Sequence, residues 1–219
     1  KGVFVLPENA IGADNVIMAR SLDHAYRGQG SLEDWKSTVA AAAIGNSRLI
    51  LAISTALAPP LLHLCGYEPG GVHLRGQSST GKTTSLRVAA SVWGGSPKEY
   101  IKTWRATSNG LEGVAAAHCD SLLILDELYE VDAGEAGKIA YMLANGSGKA
   151  RANREGGART IAQWRLLFLS SGELSLLEKV SEDGRCKRAT AGQQVRIIDV
   201  PSDAGPDGVF ERLHGGRTG

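Results

Sequence analysis

The sequence predicts an α/β sandwich, in which helices cover a parallel sheet. Five short apolar runs follow one another after residue 70, each separated from the next by a stretch long enough for a helix or hairpin. Continuous runs such as Leu122–Leu125 are typical of central strands that are buried on both faces. Hydrophobic residues make up 42% of the 219 residues, which is enough for a packed core and excludes a wholly disordered chain.

The first 45 residues are predicted to form an N-terminal extension with short strands and a helix. Short apolar stretches between residues 3 and 29 alternate with glycine and charge, which favours a strand or two and a loop. Ser31 is suited to cap a helix that carries Leu32 and Trp35 on one face. A second helix is expected from about residue 48 until Pro59-Pro60 interrupts it.

The core is predicted at residues 46–204, and a polar tail follows at 205–219. The expected strands are Val72–Arg75, Tyr100–Trp104, Leu122–Leu125, Leu166–Leu169 and Val195–Val200. Helical patterns lie between them at about 82–93, 108–118 and 134–144. Because strands alternate with helices, the sheet is expected to be built with right-handed crossovers.

The composition limits which binding partners and which cellular compartment are expected. The charges are balanced, 24 Lys+Arg against 23 Asp+Glu, so a nucleic-acid surface has to be a local patch. No apolar run reaches the roughly 18–20 residues of a membrane span, so we expect no membrane partner. Three widely spaced cysteines suit a reducing cytoplasm. Because the chain starts with Lys1, we expect a fragment of a longer protein.

Residues 76–83 match the phosphate-binding pattern G-x-x-x-x-G-K-[ST]. Its glycines let successive backbone N–H groups face one concavity, and the positive end of the following helix points there too. Lys82 would reach the β- and γ-phosphates, and the hydroxyl of Thr83 would bind Mg²⁺. The alternative is a chance match in a glycine-rich chain. The predicted cofactors are therefore ATP and Mg²⁺, bound by Gly76, Gln77, Ser78, Ser79, Thr80, Gly81, Lys82, Thr83 and Thr84.

A predicted strand ends in two carboxylates, Asp126 and Glu127. Because the pair comes after a phosphate loop in the chain, Asp126 would hold Mg²⁺ and Glu127 would orient and deprotonate the attacking water. Taken alone, this pattern would more often be a solvated helix cap. The second carboxylate favours a hydrolase over a kinase, so the sequence predicts an ATPase.

The strand Leu166–Leu169 is followed by small polar residues that could sense the γ-phosphate or the water. Either Ser170 or Ser171 suits this role, and Ser171 is our candidate catalytic residue. The alternative is that both serines only cap the next helix.

Two basic segments are further candidates. Lys149, Arg151 and Arg154 precede a Gly-Gly turn, which predicts a basic hairpin that contacts DNA phosphates; the alternative is a solvated loop. Arg188 and Arg196 are candidates for an arginine that reaches a neighbour's γ-phosphate. For Arg196, an ordinary salt bridge is an equal alternative.

These motifs occur together in one known family. The chain from about residue 48 to 200 resembles the P-loop helicase-like family called domain of unknown function 927, found in phage, plasmid and pathogenicity-island replication proteins. The resemblance is carried by Gly71–Thr84, Val92–Gly94, Trp104–Glu112, Leu122–Glu127, Gly148–Arg154, Leu169–Glu173 and Ala191–Arg196.

The resemblance implies an AAA+-type P-loop NTPase with a five-stranded, mostly parallel sheet and the phosphate-loop strand at its centre. It also implies a homo-oligomer, expected to be a hexamer, with ATP sites between subunits and a DNA-gripping hairpin in the pore. A helical lid should follow the core, so the tail at 205–219 is expected to be a truncated lid or a linker.

The function predicted from these features is the ATP-hydrolysing motor of a DNA helicase or translocase in mobile-element replication. Its partners would be single-stranded or forked DNA and a primase or initiator domain. The alternative is an ATP-binding switch or loader that assembles on DNA with little turnover. A P-loop kinase is a third and more distant reading, because no acceptor-site signature is visible.

Overall fold

A computed structural model describes residues 2–13, 15–18, 24–94, 97–150, 161–183 and 196–215. Its strands are β1 (Phe4–Val5), β2 (Ala10–Ile11), β3 (Gly70–Arg75), β4 (Lys102–Thr103), β5 (Leu122–Asp126), β6 (Leu167–Gly172) and β7 (Ile197–Pro201). Its helices are α1 (Leu32–Trp35), α2 (Ala41–Ala43), α3 (Ser47–Leu57), α4 (Pro59–Cys65), α5 (Lys82–Ala90), α6 (Pro97–Tyr100), α7 (Ser108–Ala117), α8 (Ala133–Asn145) and α9 (Leu176–Ser181). The predicted α/β class is confirmed.

The last five strands form one sheet, in the order β4-β5-β6-β3-β7, and all four pairings are parallel. The prediction that the phosphate-loop strand is central is wrong, because β6 takes that position and β3 lies between β6 and β7. Burial explains the order: β6 is buried at every position after its first, whereas β7 exposes Ile198 and Asp199, as an edge strand does. Gly71 of β3 lies beside the ring of Phe168, which would be 2.3 Å from an added Cβ.

Capping and proline residues set the predicted helix boundaries. Ser31 accepts a hydrogen bond from the backbone of Asp34 at the start of α1, and a π-helical turn joins α1 to α2. The chain bends by 60° between α3 and α4, where Pro59 opens the second helix. Among the described residues no single helix is long and apolar enough to cross a membrane; α3 and α4 pass that test only together, across the bend.

The strand predicted at Tyr100–Trp104 is shorter in the structure. Helix α6 continues to Tyr100, so β4 keeps only Lys102–Thr103. The phenol of Tyr100 is buried and donates to the carbonyl of Leu122 at 2.6 Å. The apolar pattern predicted that a strand begins at Tyr100, whereas in the structure this residue is a buried, hydrogen-bonded aromatic side chain at the end of α6.

Two cores lie on opposite faces of the sheet. On β5, Leu123 and Leu125 pack with α7 and α8, whereas Leu122 and Ile124 pack with α3 and α5. This alternation follows from the period of a strand, and burial on both faces requires a continuous apolar run. Because the strands are parallel, the carboxyl ends of β3, β5 and β6 lie at one edge of the sheet.

The described part of the predicted tail, 205–215, contributes to a third and smaller hydrophobic cluster. Val209 is fully buried and forms a small cluster with Ala43 and Leu49. The domain limits at 45 and 204 remain predictions.

Candidate nucleotide-binding site

The phosphate-binding pattern forms the loop between β3 and α5, as predicted. Gly81 has a φ of +87° and precedes the first residue of α5. An added Cβ would lie 2.6 Å from Val209 at Gly81, and 2.0 Å from the hydroxyl of Ser202 at Gly76. Both glycines are therefore required by the close approach of the chain after β7, and Gly81 is required by backbone shape as well.

Lys82 is held against the loop itself. Its ammonium donates to the carbonyl oxygens of Gly76 at 2.7 Å and Gln77 at 2.5 Å. These contacts fix the cation beside the concavity formed by the loop. An anion that enters the concavity therefore meets a positive charge and the positive end of α5.

Three elements converge on Asp126 at the edge of the sheet. One carboxylate oxygen accepts from the hydroxyl of Thr83 at 3.4 Å. The other accepts from the hydroxyl of Ser171 and from the backbone N–H of Glu127, the latter at 3.0 Å. The phosphate loop, β5 and β6 thus contribute oxygen atoms to one spot, which is the chemistry that Mg²⁺ prefers.

The protein alone does not complete a metal site here. In the part of the chain that the structure describes, no group of three or more His, Cys, Asp or Glu side chains could hold a metal ion. Mg²⁺ commonly keeps several waters and binds one or two carboxylates together with substrate phosphates. Thr83 and Asp126 fit that partial ligand set, and their binding of Mg²⁺ stays a prediction.

Glu127 leaves the strand with an unusual backbone. Its φ of +65° and ψ of +63° are left-handed, which a non-glycine residue adopts at a cost. Its carboxylate raises the pKa of the Tyr129 phenol above the ordinary value, through a hydrogen bond and through charge. Sequence reasoning missed Tyr129, although its place two residues after the carboxylate pair was a usable signal.

A cavity of about 380 Å³ joins these groups. It is lined by Ser78, Ser79, Thr80, Gly81, Lys82, Thr83, Thr84, Asp126, Glu127, Tyr129, Ser171, Gly172, Glu173, Asp207 and Phe210. The structure thus brings the predicted loop, carboxylates and Ser171 together around one space. Asp207 and Phe210 belong to the predicted tail, and no sequence signal marked them as part of the site.

Only one of the two candidate serines faces this cavity. Ser170 is fully buried, and its hydroxyl contacts His73 Nδ1 at 2.9 Å and Trp104 Nε1 at 2.8 Å. The other ring nitrogen of His73 donates to the carbonyl of Leu174 at 2.9 Å, so Nδ1 accepts from Ser170. Burial lowers the pKa of His73, which favours this neutral form.

The predicted basic residues lie elsewhere. Lys149 is among the described residues. Its backbone N–H donates to the buried carboxylate of Glu112 at 3.1 Å, and its ammonium donates to the hydroxyl of Ser108 at 3.2 Å. Arg196 precedes β7, at the opposite end of that strand from the cavity, and pairs with Glu68 at 3.1 Å. This ion pair matches the alternative given for Arg196. The predicted roles of Arg151, Arg154 and Arg188 fall outside the described residues.

Comparison with known proteins places the chain in a family. A sequence model of the family described as Domain of unknown function (DUF927) matches residues 1–163. The chain belongs to the DUF927 family. No curated protein matches this DUF927 chain in sequence.

Two solved structures are similar to this DUF927 chain to different degrees. The structure titled "SCCmec type IV Cch - active helicase" is similar with a TM-score of 0.68 and 24% identity, over 91% of this chain and 37% of that chain. The JCV helicase is similar with a TM-score of 0.43 and 15% identity, over 80% of this chain and 46% of that one. The chain therefore spans less than half the length of either, and the first similarity shows a shared fold.

Proposed function

We propose that this DUF927 chain is the ATP-hydrolysing motor domain of a DNA helicase or translocase in mobile-element replication. The observation that carries the proposal is the convergence of Thr83, Asp126 and Ser171 beside the phosphate loop. Phosphate-binding N–H groups, a cation and a metal-binding carboxylate then lie around one cavity, which suits a nucleoside triphosphate. Similarity to the fold of a structure described as an active helicase supports the choice of a motor.

In the proposed reaction, each group at the cavity has one task. The backbone of the loop and Lys82 bind the phosphates, and Thr83 and Asp126 hold Mg²⁺, which would neutralise the developing charge when bound. Glu127 orients a water molecule and accepts its proton as the water attacks the γ-phosphorus, while the bond from that phosphorus to the bridging oxygen breaks and ADP leaves with the electron pair. Ser171, hydrogen-bonded to Asp126, keeps that carboxylate in place and senses the γ-phosphate.

The proposed DNA contact is the basic hairpin that begins after Gly148. Its first residue, Lys149, is anchored through its backbone to Glu112 of α7, which packs against the same core as β5. A movement at the carboxylate end of β5 can thus be passed to the hairpin through packed elements. Assembly as a homo-oligomer, expected to be a hexamer, would place several such hairpins around single-stranded or forked DNA, beside a primase or initiator domain.

The test is steady-state ATP hydrolysis with and without single-stranded DNA. The motor predicts turnover that DNA stimulates, binding without turnover in Glu127→Gln, and loss of binding in Lys82→Ala. Neutralising Lys149, Arg151 and Arg154 together should weaken DNA binding uniformly across sequences and reduce its salt dependence. Neutralising Lys98, Lys102 and Arg105 instead gives a charge-matched control. Full turnover in Glu127→Gln would remove that residue from the reaction.

The alternative is an ATP-binding switch or loader that assembles on DNA with little turnover. One observation favours it: among the described residues that line the cavity, Lys82 is the only cation and no arginine is present. ATP binding with negligible hydrolysis, whatever the protein concentration and with or without DNA, would select this alternative.

A further inference from the structure

The chain after β7 returns over the phosphate loop and is tied down along its length. We call residues 202–214 the strap. Asn46, fully buried, accepts from the backbone N–H groups of Glu211 at 2.8 Å and Arg212 at 2.9 Å, and donates to the carbonyl of Arg212 at 3.1 Å. The carboxylate of Glu211 accepts from the backbone of Ser47. Buried hydrogen bonds therefore fix the strap on the start of α3.

The strap also contacts the phosphate loop directly. The N–H of Val209 donates to the carbonyl of Thr80 at 2.9 Å, and the hydroxyls of Thr80 and Ser202 are 2.9 Å apart. Gly208 has a φ of +66°, and an added Cβ would lie 2.3 Å from the Thr80 carbonyl. The strap is thus seated on the loop too closely for any other residue at this position. Two of its side chains, Asp207 and Phe210, line the cavity.

The lining contributed at the sheet edge and the lining contributed by the strap differ in chemistry. The sheet edge contributes Asp126, Glu127 and Ser171, and Thr83 faces it through its bond to Asp126. The strap contributes an aromatic ring, Phe210, and a carboxylate, Asp207; in the described lining it contributes no cation. A negative phosphate is repelled at the strap, whereas a neutral, flat group is accepted there.

We propose that the strap is the base-binding wall of the cavity and that Phe210 stacks on the base of the bound nucleotide. The proposal rests on the proposed function, because it takes a nucleoside triphosphate as the ligand. Phe210 is half-buried and packs on the cluster formed by Val209, Ala43 and Leu49 while it lines the cavity. An aromatic ring supported in this way holds a base by stacking, without selecting one base over another.

The experiment separates base binding from phosphate binding. Calorimetric titrations with ATP and with inorganic tripolyphosphate, both with Mg²⁺, are compared for the wild type, Phe210→Leu and Phe210→Trp. We expect Phe210→Leu to weaken ATP binding by about tenfold and to leave tripolyphosphate binding unchanged, since only the base meets the ring. Phe210→Trp should keep ATP binding. Tyr67→Leu, at an exposed aromatic residue outside the cavity, is the matched control.

The wild type alone gives a second, independent readout, which does not depend on a variant that folds. A base-binding wall requires ATP to bind about tenfold or more tightly than tripolyphosphate. Three results would overturn the base-binding wall without overturning ATP binding. They are equal affinities of the wild type for ATP and tripolyphosphate, an unaltered ATP affinity in folded Phe210→Leu, and an equal loss of affinity for both ligands in that variant. A wild type that binds neither ligand would overturn the proposed function and this inference with it.

Discussion

At the level of single residues, the neighbours Ser170 and Ser171 contact different parts of the molecule. Successive side chains of a strand point to opposite faces. Ser170 therefore joins Trp104 and His73 inside the protein, and Ser171 reaches the carboxylate of Asp126 in the cavity. The two serines form a natural pair of test and control, since each substitution removes one hydroxyl from the same strand.

Ser171→Ala should lower ATP turnover, because it removes the hydroxyl that donates to the carboxylate of Asp126 at the cavity. Ser170→Ala should instead lower the free energy of unfolding by about 1–3 kcal/mol, because it leaves buried groups on His73 and Trp104 unpaired. Urea unfolding and ATP hydrolysis of both variants check this. The assignment is wrong if Ser170→Ala loses turnover at full stability or Ser171→Ala keeps it.

Two buried histidines should make the protein less stable in mild acid. Burial lowers the pKa of both His73 and His118. As the pH falls below about 6.5, the unfolded chain takes up protons that the folded chain refuses, so each histidine reduces stability by up to about 1.4 kcal/mol per pH unit. Above about pH 7.5 both are neutral in either state and contribute no slope.

Urea unfolding between about pH 5.5 and 8 measures this slope. The carboxylates whose pKa is lowered, Glu178 and Glu211, titrate below this window. His63→Gln, at an exposed histidine, is the control and should leave the slope unchanged. A stability that is flat throughout the window would show that the buried histidines take up protons as readily as exposed ones.

At the level of elements, the sequence predicted those structural features that depend on residues close together in the chain. The phosphate loop, the run Leu122–Leu125 and the carboxylates after it depend on residues adjacent in the chain, so their pattern is visible in the sequence. The central place of β6 depends on which strands pair, and apolar runs do not encode their order. The strap was missed for the same reason: Val209 is buried because residues distant in the chain, among them Leu49, Thr80 and Gly81, lie against it.

Asn46 is the residue through which the strap should be tested as an element. Asn46→Ala removes both ends of an amide that is fully buried and leaves the N–H groups of Glu211 and Arg212 without their acceptor. We expect a loss of about 2–4 kcal/mol in the free energy of unfolding, from several buried hydrogen bonds at about 1 kcal/mol each and unpaired donors. Chemical denaturation measures it.

The control for this substitution is Ser54→Ala, at an exposed position of the same helix, α3, which should leave stability nearly unchanged. Limited proteolysis should also cut Asn46→Ala faster within the strap. Equal stability and equal cleavage in the two variants would show that the strap is held by its apolar contacts alone.

At the level of the whole molecule, the cavity collects charge that one chain only partly balances. In the proposed function, a nucleoside triphosphate brings several negative charges to a space whose described lining has Lys82 as its one cation and several carboxylates. The positive end of α5 and a bound Mg²⁺ offset part of that charge. In the proposed reaction, the charge that develops as the γ-phosphoryl group is transferred needs a further cation, which a neighbouring chain would supply.

Turnover per chain should accordingly rise with protein concentration, because the neighbour is bound only when chains assemble. At a concentration where the wild type is nearly inactive, added Lys82→Ala chains should stimulate hydrolysis, since they cannot bind ATP but still present their arginines. If Arg188 is the arginine that reaches the neighbour's γ-phosphate, chains that carry both Arg188→Ala and Lys82→Ala should fail to stimulate hydrolysis. Chains that carry Arg196→Ala and Lys82→Ala should still stimulate it, because Arg196 is paired with Glu68. Steady-state hydrolysis of these mixtures measures each case. A turnover per chain that is independent of concentration and of added chains would mean that one DUF927 chain completes its own site.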